Sequence, residues 1–139
     1  MIRRVDHIGI AVESIEEARR LYEALGLHVE AIEEVPQEGV RVALIPCGET
    51  RIELLEPLGP DSQLARFLAK RGPGIHHVSL ASDDLRRDDA NLRQEGYDVL
   101  RPEPTRGAGG ASVQFVHPRS AGGVLLELSQ APDGADGEG

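Results

Sequence analysis

The chain repeats itself, and the repeat limits what it can fold into more than any other feature. Val5-Asp6-His7-Ile8-Gly9-Ile10-Ala11-Val12 aligns with Ile75-His76-His77-Val78-Ser79-Leu80-Ala81-Ser82 at an offset of 70 residues, with apolar positions matching along it. At the same offset Ile15 meets Leu85, Tyr22 meets Leu92, Gly26 meets Gly96 and Val29 meets Val99. Near the end of each half the offset is 74, pairing Arg51-Ile52-Glu53-Leu54-Leu55 with Leu125-Leu126-Glu127-Leu128-Ser129. The second half therefore carries about four extra residues, which the Gly-rich stretch Arg106–Ala111 accommodates.

Each half follows one plan. An apolar-rich strand, about Asp6 to Val12, leads into a helix capped by Ser14, with Glu17 completing a Ser-x-x-Glu box and Gly26 ending it. Ile15, Ala18, Leu21, Tyr22 and Leu25 form one apolar stripe at helical spacing. Three strands are predicted next, near Leu27–Glu34, Val40–Pro46 and Thr50–Glu56. The second half predicts a strand at Ile75–Ala81, a helix from about Asp83 to Glu95, and strands near Tyr97–Arg101, Ala111–Val116 and Val124–Ser129. Its helix is the weaker prediction, because Asp88 and Asp89 stand where the first helix has Ala18 and Arg19. Between the halves, residues 61–72 place Leu64, Phe67 and Leu68 on one face and are read as a connecting helix closed by Gly72. The chain is expected to be one domain over residues 1–131: module one at about 2–57, the connecting helix, and module two at about 73–131. The Gly-, Asp- and Ala-rich tail, 132–139, is expected to be disordered.

Composition sets the class of partner. With 139 residues and a net charge of −9, the chain can bury a real core but is repelled by nucleic-acid phosphates. No apolar run approaches the ~20 residues of a membrane span, and the N-terminus lacks a secretion signal's apolar core; a cytoplasmic location is expected. Aromatics are only 3%, so the core rests on Val, Leu, Ile and Ala. Fourteen arginines against one lysine hint at a biased genome or a hot habitat. The single cysteine, Cys47, excludes an internal disulfide and is read as a buried structural thiol rather than a nucleophile.

The duplication turns four scattered residues into a pattern. His7 and His77 take equivalent points on the first strand of each half; Glu53 and Glu127 take equivalent points on the last. Packed about a pseudo-twofold axis, the four can converge. Two imidazoles and two carboxylates suit a divalent first-row metal such as cobalt, manganese, nickel, iron or zinc, and an octahedral ion keeps two adjacent positions for water or substrate. Each residue also has a plainer reading: a histidine on an apolar strand is ordinarily a hydrogen-bonded core residue, and a glutamate among leucines can pair with an arginine. Burying a carboxylate is costly without a metal or ionic partner, and here that cost recurs at related positions, each matched by a histidine. His76 points to the opposite sheet face from His77. His28 and His117 have no counterpart in the repeat, though His117, before Pro118, can border a pocket.

On these residues the chain resembles the vicinal-oxygen-chelate, or glyoxalase-like, superfamily, and within it the methylmalonyl-CoA epimerases. The resemblance is carried by Asp6–Val12, Val40–Ala43, Arg51–Pro57, Asp61–Gly72, Gly74–His77, Gly107–Gly110, His117–Ser120 and Gly123–Leu128, spanning about residues 2–130. It implies an α+β fold of tandem βαβββ modules forming an open eight-stranded mixed barrel. It implies interconversion of (R)- and (S)-methylmalonyl-CoA by metal-assisted proton transfer at C2 through an enolate, with His7, Glu53, His77 and Glu127 as ligands. Glu53 and Glu127 double as acid/base groups, Co2+ is the favoured ion over Mn2+, Ni2+ or Zn2+, and a homodimer is expected. The family is not uniform. Some epimerases carry Gln where Glu53 stands and a Glu where this chain has Val42; others have an acidic residue at Gln37, which leaves Glu38 a lesser candidate. The Gly107–Gly110 loop is read either as a cradle of backbone N–H groups for the substrate carboxylate or as a plain turn. Alternative readings within the fold are a glyoxalase I-type isomerase and a metal-free drug-sequestering protein. An extradiol-type dioxygenase is disfavoured by the fourth ligand.

Overall fold

A computed structural model of the protein describes residues 1–132. It divides into two compact units, His7–His76 and Met1–Asp6 with the chain from His77 onward. Each is built on the same plan.

In the unit His7–His76, strand β1 (Ile2–Ala11, entering at His7) leads into helix α1 (Ile15–Ala24). Strands β2 (Ala31–Val35), β3 (Val40–Cys47) and β4 (Thr50–Pro57) follow, then helix α2 (Gln63–Arg71). The sheet order is β2-β3-β4-β1, antiparallel except for the parallel β1–β4 pair. Ser14 caps α1 as expected, its hydroxyl accepting the Glu17 N–H at 3.2 Å. Gly26 turns the chain out of the helix at φ +91°, a conformation that favours glycine. The apolar core joins Val12, Ile15, Ala43, Ile45 and Leu54, with Ala18, Tyr22, Leu27 and Val29 packed against it. Leu21 and Leu25 do not belong to it. They are 62% and 68% exposed, because a ten-residue helix lays only the narrow 15–18–22 stripe on the sheet.

The second unit repeats this with β5 (Gly74–Ser82, from His77), α3 (Leu85–Gln94), β6 (Thr105–Arg106), β7 (Ser112–Val116) and β8 (Leu126–Gln130). The order is β5-β8-β7-β6, with β5 and β8 parallel. Gly96 leaves α3 at φ +90°, matching Gly26. The chain is thus α+β with tandem βαβββ modules, as the repeat predicts.

Three local expectations are corrected. The segment 97–101 is not a strand: it makes a single bridge, Val99 to Val116, and the sixth strand is Thr105–Arg106. Pro102 and Pro104 bring no N–H to a ladder, so regular pairing resumes only beyond them. The second strand starts at Ala31 rather than Leu27. Cys47 is exposed, not buried: it pairs with Thr50 at the tip of the β3–β4 hairpin, where the sheet has run out of neighbours. The tail expected to be disordered lies, beyond Pro132, outside the described residues. No helix among the described residues is long and apolar enough to cross a membrane.

Candidate metal centre

Strand β4 is the centre of its sheet, paired to β3 on one side and β1 on the other, and it carries Glu53. The period of two places Arg51 and Glu53 on one face, and the parallel register sets His7 beside Arg51. His7 and Glu53 are both buried, 5% and 3% exposed. His7 Nδ1 stands 3.3 Å from Glu53 Oε2. Two donors bound at right angles to one ion at ~2.1 Å lie about 3 Å apart, so the pair has the spacing of neighbouring ligands. The same oxygen accepts from Arg51, at 2.9 Å from Nη2 and 3.2 Å from Nε. The plainer reading of a glutamate among leucines is therefore also realised at Glu53, and that pairing offsets the cost of burying the charge.

The other unit repeats the arrangement without a guanidinium at the equivalent point. Strand β8 lies between β5 and β7, and Glu127 stands in register with Ser79 on β5. His77 and Glu127 are each 6% exposed, with His77 Nε2 3.9 Å from Glu127 Oε1. Phe115 packs edge-on against the His77 imidazole, centroids 6.2 Å apart, and Arg101 lies 4.7 Å over the Phe115 ring. Leu125 occupies the position of Arg51.

Comparison with known proteins agrees with this architecture. The model of the Glyoxalase/Bleomycin resistance protein/Dioxygenase superfamily matches residues 6–115. Mitochondrial methylmalonyl-CoA epimerase of Bos taurus is 40% identical over 92% of this chain and 74% of its own length. Ethylmalonyl-CoA/methylmalonyl-CoA epimerase of Cereibacter sphaeroides is 41% identical over 94% of this chain and 99% of its own. A variant of the Streptomyces coelicolor methylmalonyl-CoA epimerase, solved with 2-nitronate-propionyl-CoA, superimposes with a TM-score of 0.89 at 36% identity, covering 94% of this chain and 99% of that one.

The chain belongs to this superfamily, among its methylmalonyl-CoA epimerases.

Within that family the remaining candidates sort by geometry. Val42, where some epimerases carry a Glu, is 2% exposed and apolar, so no acid/base group comes from that point of β3. Glu38 sits on a short turn, Pro36–Glu38, after β2. The Gly107–Gly110 loop is mostly self-satisfied: the N–H groups of Gly107, Gly110 and Ala111 bond to Ala111, Gly107 and Ala108 carbonyls. Those three donors are spent within the turn, which favours the plainer of the two readings. His117 caps a turn at Pro118–Ser120, its Nδ1 accepting the Arg119 N–H at 3.1 Å. His76 packs edge-on against Phe67 at 4.9 Å, the other face of β5 as alternation requires.

Sequence reading missed two residues at these carboxylates. Arg51 is two positions from Glu53, and strand alternation alone puts it on the same face. Ser79 is two positions from His77, and only the parallel register of β5 and β8, invisible in one chain's periodicity, sets it beside Glu127.

Proposed function

We propose that this protein is a methylmalonyl-CoA epimerase, interconverting the (R) and (S) thioesters by moving the proton on C2. What carries the reading is that two buried imidazole–carboxylate pairs recur, one per unit, in a chain that matches epimerases at about 40% identity over nearly its whole length. The donor set fits a divalent first-row ion. His7, Glu53, His77 and Glu127 hold it as one centre, and Co2+ is the favoured ion, with Mn2+, Ni2+ and Zn2+ as the alternatives. A bound divalent ion supplies Lewis acidity that offsets the charge developing on the thioester oxygen as C2 loses its proton.

The chain's own residues do the rest. Glu53 and Glu127, related by the duplication, take and return the proton on opposite faces of the substrate, which inverts the centre through an enolate. Positioned acid/base groups of this kind contribute about 10²- to 10⁴-fold. Both pairs are buried, and exclusion of water strengthens each electrostatic contact. Arg51 keeps the Glu53 charge tolerable in the substrate-free chain. The organisation proposed is a single domain over residues 1–131, acting as a homodimer in the cytoplasm in propionate metabolism. The Bos taurus relative is, by its name, mitochondrial.

The test is deuterium uptake at C2 of methylmalonyl-CoA in heavy water, with and without added cobalt. Metal-dependent exchange with inversion is expected. No exchange with any divalent ion, or equal exchange after chelation, overturns the reading.

A further inference from the structure

Ser79 has the burial of a core residue and the chemistry of a site residue. It lies on β5 two positions beyond His77, so both side chains leave the same face of the sheet. It is 0% exposed, and its hydroxyl meets no hydrogen-bond partner among the described residues. Leaving a buried hydroxyl unpaired costs about 1–3 kcal/mol, a cost that alanine removes. Its neighbour across the parallel pair is Glu127.

The duplication shows what differs. The counterpart of Ser79 is Gly9, which stands in register with Glu53 and offers no side chain. There the donor to the carboxylate is Arg51, on Glu53's own strand at 2.9 Å. In the second unit Leu125 replaces that arginine and can donate nothing, while a hydroxyl stands on the neighbouring strand instead. A guanidinium orients its carboxylate and sets a positive charge beside it; a hydroxyl orients one without adding charge.

We propose that Ser79 is a positioning residue for Glu127, its hydroxyl donating a hydrogen bond that holds the turned carboxylate at the angle from which it exchanges the C2 proton. The role rests on the epimerase reading above. The bond forms as the carboxylate turns toward substrate, and no covalent bond changes at Ser79. The proton passes between the substrate carbon and a Glu127 oxygen, and the serine keeps its own. Small errors in such geometry are expensive, since a misplacement of about 1 Å can cost on the order of 10²-fold.

The experiment compares wild type, Ser79→Ala and Ser79→Thr with methylmalonyl-CoA under saturating cobalt, recording kcat, KM and the thermal midpoint. Ser79→Ala is expected to lower kcat about tenfold, equivalent to ~1.4 kcal/mol, with KM within twofold and a midpoint no lower than wild type. Ser79→Thr, which keeps the hydroxyl, is expected to recover most of the rate. A wild-type kcat in Ser79→Ala overturns the proposal, as does a rate loss matched by a rise in KM, or a folded Ser79→Thr as slow as the alanine variant. Ser79→Ala decides alone if the extra methyl unfolds the threonine variant. A wild type without C2 exchange refutes the epimerase reading itself and takes the serine's role with it.

Discussion

The carboxylate of Glu56 accepts the backbone N–H of Ile15 at 2.8 Å, fastening the last strand of one module to the first turn of its helix. The first N–H groups of a helix have no partner within it, so this side chain does for Ile15 what an N-cap does for the residues beyond. The duplicate keeps the device with different chemistry: Gln130, at the same offset of 74, accepts the Leu85 N–H at 2.9 Å. Glu56→Ala is therefore expected to cost about 1–3 kcal/mol, since it strands an N–H that had a charged acceptor. Glu56→Gln keeps the acceptor and loses only the half-exposed pair with Arg41, worth under about 1 kcal/mol. Urea unfolding separates the two; equal losses would show that the Arg41 pair, not the latch, matters.

A second network explains the polar residues of α3. The Gln114 amide is 0% exposed and donates to Asp89 at 3.1 Å and to the Arg101 carbonyl at 3.0 Å. Its oxygen accepts the N–H of Arg101 and, at 2.9 Å, of Phe115. The side chain thus ties α3, β7 and the non-strand segment 97–101 together. Gln114→Leu is expected to destabilise the protein by about 2–4 kcal/mol, because it leaves several polar groups without partners. An unfolding free energy within 0.5 kcal/mol of wild type, roughly the range of a surface change, would contradict that account.

These networks mark where sequence reading reached its limit. The repeat placed β1, α1, β3, β4, β5, α3, β7 and β8, and the apolar face of Leu64, Phe67 and Leu68 placed α2 between the halves, because apolar period and caps act locally. It placed His7, Glu53, His77 and Glu127 on equivalent strands for the same reason. It failed at 97–101, read as a strand by analogy with the first half, where only Val99 forms a bridge and Pro102 and Pro104 delay regular pairing until Thr105. It took Asp88 and Asp89 as faults in a helix, when Asp88 accepts the Ser82 hydroxyl at 2.6 Å and Asp89 the Gln114 amide. Cys47 was misjudged because burial of a strand residue depends on how far its neighbours extend. Partners chosen across the sheet, such as Ser79 beside Glu127, need a register that composition does not carry.

On the proposed metal assignment, Arg51 and the ion compete for one oxygen. Glu53 Oε2 is both the atom 3.3 Å from His7 Nδ1 and the acceptor from Arg51. Arg51→Leu is expected to tighten cobalt binding about tenfold, a gain of ~1.4 kcal/mol, by freeing that oxygen and removing a cation nearby. In the metal-free protein the same change is expected to lower stability by about 1–2 kcal/mol, below the full cost of breaking a buried pair because the guanidinium is a third exposed. Calorimetric titration reads the first effect and urea unfolding the second. Weaker cobalt binding in Arg51→Leu would mean that the arginine supports the ligand rather than competing for it.

His76 and His77 are adjacent in sequence and lie on opposite faces of β5, which gives the proposed metal assignment an internal control. His77 is buried and 3.9 Å from Glu127, whereas His76 is half-buried with its ring edge against Phe67. His77→Ala is expected to lower cobalt affinity at least tenfold by removing a donor. His76→Ala is expected to leave the affinity unchanged and to cost only the aromatic contact, about 0.5–1.5 kcal/mol. His76 is the more exposed of the two, so non-specific binding to surface histidines would weaken in His76→Ala rather than in His77→Ala. A difference confined to His77→Ala can come only from the face of β5 that carries Glu127's partner.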